Sequence, residues 1–130
     1  MFSKNNKSAT YDNEGHLHSI DGPAIINDEG TQYWYNHGTL HREDGPAEIE
    51  ANGTMRWFYQ GMLHREDGPA EIFDNGTKRW FYKSDLHRID GPAVEYASGN
   101  FNEYWLHGEP VDRFTSWLLQ HQTQSAEAVL

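Results

Sequence analysis

Along most of this chain apolar and polar positions alternate in short bursts that end at a turn. The stretch AEIEANGTMRWFY (47–59) sets Ala47 and Ile49 against Glu48 and Glu50, breaks at Ala51-Asn52-Gly53, and resumes through Met55, Arg56 and Trp57. Alternation with period two marks a strand with one face in a core. An x-Asn-Gly break between two such runs closes a three-residue hairpin loop, its glycine left-handed. The pattern returns as AEIFDNGTKRWFY at 70–82. The implied register pairs Glu50–Thr54, Ile49–Met55, Glu48–Arg56 and Ala47–Trp57, then Phe73–Thr77, Ile72–Lys78, Glu71–Arg79 and Ala70–Trp80. Small alanine then faces large tryptophan on one side, and glutamate faces arginine on the other. Each such pair stabilises a sheet by roughly 0.2–1 kcal/mol. A one-residue slip would set Glu48 against Trp57. Lys78 opposite Ile72 is the pair without an evident logic.

The hairpins recur at a fixed distance. HxxDGPA heptads begin at His18, His41, His64 and His87, each 23 residues after the last (41−18, 64−41, 87−64). A period of this length means a repeat array in which neighbours stack to bury what one unit cannot. Half a unit precedes the first heptad, with Gly15, Leu17 and His18 aligning with Gly38, Leu40 and His41. The fourth unit carries one extra residue before Tyr104, and no further heptad follows. After Pro110 the period changes: Phe114, Trp117, Leu118 and His121 in VDRFTSWLLQHQ fall at i, i+3, i+4 and i+7, with Asp112 placed to cap a short helix. The expected fold is all-β: an elongated, twisted antiparallel hairpin array of about nine strands in a single layer, closed by a short C-terminal capping helix. Residues 1–10 read as a polar lead-in, 11–110 as repeats, and 111–130 as helix and tail, the tail beginning near Gln122. With strands about 4.8 Å apart, equivalent residues form columns at a pitch of roughly 10 Å. Trp34, Trp57, Trp80 and Tyr104 form one, Ala24, Ala47, Ala70 and Ala93 a second, and Leu17, Leu40, Leu63 and Leu86 a third. Trp117 and Leu118 are expected to cover the open end.

Charge narrows the choice of partner. Twenty acidic against ten basic side chains give a net charge of −10, which repels nucleic acid and anionic lipid and suits a basic protein surface. Without cysteine, disulfides and thiolate chemistry are excluded. The start, MFSKNNKSATYDNEG, has no apolar h-region and no apolar run approaches a membrane span. We expect no signal peptide and a cytoplasmic protein.

The motif W-x-x-x-G-x-L-H-R-x-D-G-P-A, carried by Trp57, Gly61, Leu63, His64, Arg65, Asp67, Gly68, Pro69 and Ala70, resembles the MORN (membrane occupation and recognition nexus) repeats. It is closer still to the divergent 23-residue arrays of uncharacterised viral, phage and bacterial proteins. The resemblance spans residues 11–110 and implies a MORN-like hairpin sheet serving as a scaffold. It also implies roles such as inhibitor, immunity or counter-defence protein, in the host cytoplasm if the source is viral. Where ordinary MORN repeats have a spaced glycine pair this chain has DGPA, which together with its charge argues against lipid binding.

Two sets of residues are candidates for function. The His-x-x-Asp pairs (His18/Asp21, His41/Asp44, His64/Asp67, His87/Asp90) suggest zinc or a catalytic dyad. Four copies about 10 Å apart cannot converge on one ion, however, so they read as architecture: Asp accepting backbone N–H groups at each D-G-P turn, Gly supplying the conformation beside Pro, and His bonding Asp or a neighbouring strand. Trp34, Trp57 and Trp80 belong to the same structural set. Arg42, Arg65 and Arg88 form either an anion-binding ladder or pairs with Glu43, Glu66 or a neighbouring unit's Asp. The second set is the aromatic following each column tryptophan, Tyr35, Phe58 and Phe81. It would face outward beside Glu48, Glu71, Arg56 and Arg79 as a partner-binding stripe, or pack against a second copy as a homodimer. No P-loop, GxSxG, HExxH or cysteine nucleophile is present, so no enzyme, metal or cofactor is expected. A binding protein is expected, with a basic nucleic-acid enzyme as one expected target; the alternative is a nucleotide signal held by Arg and aromatic side chains between units. Departures from repeat symmetry, where a grafted site would lie, are His37, His107 and Ser98–Glu103.

Overall fold

The computed structural model describes residues 6–129, with side chains described for residues 8–121. Its main element is one antiparallel sheet of eight strands, laid down in the order of the chain. The strands are β1 (Asn6–Ala9), β2 (Ile25–Asn27), β3 (Gln32–Tyr33), β6 (Glu48–Ile49), β7 (Met55–Arg56), β10 (Glu71–Ile72), β11 (Lys78–Arg79) and β14 (Val94–Glu95). The expected register holds: Glu48 lies opposite Arg56 and Ile49 opposite Met55, then Glu71 opposite Arg79 and Ile72 opposite Lys78. Lys78 also lies opposite Glu95 of the next unit, which supplies the logic its pairing with Ile72 lacked. The x-Asn-Gly loops close as three-residue turns. Gly53 donates to the Glu50 carbonyl, Glu50 donates to the Thr54 carbonyl, and Asn52 Oδ1 accepts from the Thr54 N–H at 2.8 Å. Threonine then ties each loop to the next: the amides of Ala51, Asp74 and Ala97 donate at 3.2 Å to Thr31, Thr54 and Thr77 Oγ1.

The array has more strands than the nine expected, because each unit makes a second hairpin. These are β4/β5 (Tyr35–Asn36 with Thr39–Leu40), β8/β9 (Phe58–Tyr59 with Met62–Leu63), β12/β13 (Phe81–Tyr82 with Asp85–Leu86) and β15/β16 (Tyr104–Leu106 with Glu109–Val111). The backbone breaks at the column tryptophan, whose N–H donates to the next unit's alanine carbonyl (Trp57 to Ala70, 2.8 Å) while its own carbonyl accepts from His64 at 3.1 Å. The chain therefore leaves the main sheet at Trp57 and closes the second hairpin on Gln60-Gly61, both left-handed (φ 48° and 81°), a turn whose twist suits a two-residue loop.

Burial follows the columns. Ala47, Ala70 and Ala93 have no exposed surface, and Ala24 almost none. Tyr104 takes the tryptophan place in the fourth unit: the Trp105 carbonyl accepts from Arg88 as Phe81's does from Arg65. The extra residue is real, since the matching contact of His107 with His87 spans 20 positions where its counterparts span 19.

Three expectations about the ends change. Within the lead-in, Asn6–Ala9 is strand β1, paired with β2; residues 1–5 lie outside the described residues. The helix, α1, runs Arg113–Val129, through the segment expected to be tail. Its face also differs. Asp112 caps it, accepting the Thr115 N–H at 2.6 Å, and this backbone bond holds the Asp112 carboxyl below the usual carboxylate range. Ser116, however, is the buried residue and Gln120 Nε2 donates to the Ile89 carbonyl at 2.6 Å, while Phe114 and Trp117 are exposed. The Gln120 bond ties the helix to the last heptad turn; Trp117 stays exposed and does not cover the array's end, while Leu118 is half-buried.

Candidate interaction surface

The repeat motif builds one joint, used four times. Leu40 accepts the Gly61 N–H on its carbonyl, His41 accepts the Gln60 N–H on Nδ1 at 2.9 Å, and the Arg42 N–H donates to the Phe58 carbonyl. Three consecutive residues of one unit thus clasp the second hairpin of the next. The same contacts join His64 to Lys83 and His87 to His107 at 2.9 Å, and His18 to His37 at 3.0 Å. Each histidine uses Nδ1 as an acceptor, which assigns its proton to Nε2. The heptad histidines therefore bond a neighbouring unit, one of the two partners expected.

The aspartates do something else. Asp44, Asp67 and Asp90 each take the Nε–H of the arginine two residues earlier, at 3.0, 3.0 and 2.9 Å. The arginines accordingly pair within their own unit rather than with Glu43, Glu66 or a neighbour's aspartate. Each arginine lies over a column tryptophan (Arg42 on Trp34 at 4.1 Å, Arg65 on Trp57 at 4.0 Å, Arg88 on Trp80 at 3.9 Å) and donates to the carbonyl of the following proline. The Arg42 bond and charge hold the Asp44 carboxyl below its usual range. At three of the heptad glycines this packing leaves no room for a side chain: a Cβ on Gly45, Gly68 or Gly91 would meet the arginine Cζ at 2.9 Å, whereas Gly22, in the unit without the arginine, faces open space. In the first unit Ser19 replaces the arginine, and Asp21 keeps its place without that partner. Among the described residues no group of three His or carboxylate side chains could hold a metal ion. A nucleotide phosphate would have to compete with Asp and Pro for these arginines.

The predicted partner-binding residues do come together, but with one another. Arg56 Nε donates to Glu71 at 2.7 Å, and its Nη1 reaches Glu50 at 2.8 Å and Glu48; Arg79 bonds Glu71 Oε1 at 2.6 Å. Burial works against the charge on Arg56, yet Glu71, Glu48 and Glu50 outweigh it and raise its pKa. Glu71 is only 3% exposed and Phe81 only 9%. Tyr35 and Phe58 are half-buried, and burial raises the Tyr35 phenol, Glu48 adding to the shift. This set is an internal ion-pair network over aromatic rings, with Phe73 and Phe81 lying 5.3 Å from the Arg79 guanidinium. Placed this way, it offers a partner little to touch.

What faces outward is a column the sequence reading did not single out. Tyr59 and Tyr82 are 41% and 40% exposed and alternate with the clasp histidines. Ring centroids run His41–Tyr59 4.7 Å, Tyr59–His64 6.2 Å, His64–Tyr82 4.7 Å and Tyr82–His87 6.1 Å. At the ends the asymmetric histidines complete it: His37 stacks on His18 at 4.0 Å and His107 on His87 at 4.1 Å. Beside this column lie the HREDGP turns. The two together line consecutive clefts that share Arg42, Glu43 and Asp44, then Arg65, Glu66, Asp67 and Tyr82, and so merge into one furrow across the units. Glu43 and Glu66 project into solvent, 76% exposed, touching only His41 and His64 Nε2 at 3.5 Å. The signal was present in the sequence as Tyr59 and Tyr82, one step beyond the residues chosen.

Compared with known proteins, the chain matches no family model, no curated protein and no solved structure. No helix among the described residues is long and apolar enough to cross a membrane.

Proposed function

We propose that the chain is a non-enzymatic repeat scaffold of MORN-like type that acts in the cytoplasm by occupying a basic surface of another protein, as an inhibitor or counter-defence factor does. The observation that carries this reading is the furrow. Tyr59 offers an aromatic face in it and Tyr82 a second that Lys83 Nζ approaches to 5.5 Å, the heptad arginines are neutralised by Asp44, Asp67 and Asp90, and Glu43 and Glu66 outnumber that one lysine. A cation is drawn both to a tyrosine face and to an unpaired carboxylate. The net charge of −10 opposes DNA and anionic lipid.

Titration of the purified chain with poly-L-lysine, duplex DNA and anionic lipid vesicles at low and moderate salt tests the reading. The expected result is association with polylysine alone, weakening steeply with salt, and weakened further in a Tyr59→Ala/Tyr82→Ala variant that keeps its thermal midpoint. Binding of DNA or vesicles, or equal polylysine binding by the double variant, would overturn it.

A further inference from the structure

Resting on that reading, we infer that the furrow takes an extended basic segment laid along the array axis and selects cationic side chains at every third position. The inference comes from matching two lengths. Each repeat adds two strands to the main sheet, so Glu43 and Glu66, or Tyr59 and Tyr82, recur about 10 Å apart, twice the strand spacing of about 4.8 Å. An extended peptide advances roughly 3.3 Å per residue and a polyproline II segment about 3.1 Å, so three residues cover one repeat. Residues i and i+3 of such a segment therefore meet equivalent groups in the two successive units that carry both the glutamate and the tyrosine.

The chemistry at each step favours a cation. A lysine or arginine at i lies over the outer face of Tyr59 with Glu43 or Glu66 beside it, and its neighbour at i+3 meets Tyr82, a weaker step because the chain's own Lys83 Nζ lies 5.5 Å from that ring. The furrow's own guanidinium groups do not repel it, since each is held on its tryptophan and paired to its aspartate. Selectivity fades toward both ends: at the N-terminal turn Ile20 stands in the glutamate's place, and the C-terminal turn has lost it too. There Ile89 occupies the place of Glu43 and Glu66, and Arg88 already holds both Asp90 and Glu95, leaving no surplus carboxylate at that turn. The segment is therefore read mainly by the second and third units.

The test varies the ligand and leaves the fold untouched. Synthetic ten-residue peptides of identical composition, three lysines among glycine, serine and proline, are titrated by calorimetry with lysines spaced by two, three or four residues; a helix-forming peptide with lysines seven apart is the fourth arm. The spacing of three should bind about tenfold tighter than two or four, as aligned linked contacts do. Glu43→Gln/Glu66→Gln should remove that preference. Equal affinity for all extended peptides would overturn the register while leaving the basic-partner reading standing. A best fit to the helical peptide would overturn the extended form. No binding by any peptide, together with no binding of polylysine, would overturn both.

Discussion

The inner and outer joints of this array are built from one clasp but closed by different rings. In the two inner joints a tyrosine at the end of the second hairpin's first strand, Tyr59 or Tyr82, lies against the clasp histidine. In the outer joints Asn36 and Leu106 occupy that place, and the following residue, His37 or His107, stacks its imidazole on His18 or His87. The N–H to Nδ1 bond is the same length in all four, within 0.1 Å. Backbone geometry is thus the invariant, and the ring beside it is a local choice. A tyrosine carries no charge near neutrality, whereas the His107 imidazole opposes protonation of His87.

The largest effect expected on this contrast comes from an inner unit's platform. Trp57→Ala removes a half-buried ring and the seat of Arg65; chemical denaturation should show a loss of about 3 kcal/mol, near the low end for such truncations. Tyr104→Ala at the outer end should lose less, because no guanidinium rests on that ring. A loss at Tyr104 as large as at Trp57 would mean the ends are as tightly knit as the middle. Next comes the clasp itself. His64→Leu keeps the bulk but leaves the Lys83 amide without its acceptor, which should destabilise by about 1–2 kcal/mol. His107→Asn, which deletes an outer stack and keeps a residue that accepts the left-handed φ of 48°, should lie within about 0.5 kcal/mol of the parent.

Ser84 provides a smaller change of opposite sign. It stands where the other second hairpins have glycine and is held left-handed at φ 73°. Ser84→Gly should raise stability by roughly 1 kcal/mol, measurable as a higher thermal midpoint.

The outer joints should also separate by pH. Burial, and then the nearby His107, lower the His87 pKa, Asp85 opposing them. A histidine held neutral in the fold contributes stability that is whole above its unfolded pKa of about 6.5 and is lost as pH falls below that value. At the other end His37 donates to Asp12 at 2.7 Å, and this bond, aided by the His16 and Glu14 amides, lowers the Asp12 pKa far below its ordinary 3.8. That contribution is whole above pH 3.8 and disappears only as pH falls toward the lower folded value. Hydrogen exchange should therefore show the His107 amide losing protection as pH drops below about 6.5. Tyr11 and Leu17, bridged beside Asp12, should hold until the carboxylate titrates. Simultaneous loss at both ends would refute the asymmetry. The double change Leu106→Tyr/His107→Gln, which gives the last joint an inner-type ring, should move the His87 titration toward its ordinary value with little change in stability.

The main sheet was legible because its signals are redundant. Alternation, Asn-Gly and the 23-residue step all require Glu48 opposite Arg56 and Glu71 opposite Arg79. The second hairpins were not, since their loops read His-Gly, Gln-Gly, Lys-Ser and His-Gly, without the Asn or Asp that normally announces such a turn. That omission misplaced the candidate surface. Counting parity through Trp80 puts Phe81 on the face of Arg79, and its ring does lie 5.3 Å from that guanidinium, but this face is covered while Tyr59 and Tyr82 are the exposed rings. The helix misled for another reason: Phe114 and Trp117 stay exposed although they belong to an apolar stripe, while the bond to the last heptad turn is made by Gln120, which carries no hydrophobic signal.

The order of strands along the sheet also decides how this molecule meets mechanical load. The first strand and the terminal helix lie at opposite ends of the array, so pulling them apart strains the joints in series. Each ladder of hydrogen bonds then peels one rung at a time instead of shearing as a block. A released repeat of 23 residues lengthens the chain by roughly 70 Å once its folded span of about 10 Å is subtracted. Under tension the protein is a row of weak links of equal length, paying out in steps from whichever end is softer at the prevailing pH.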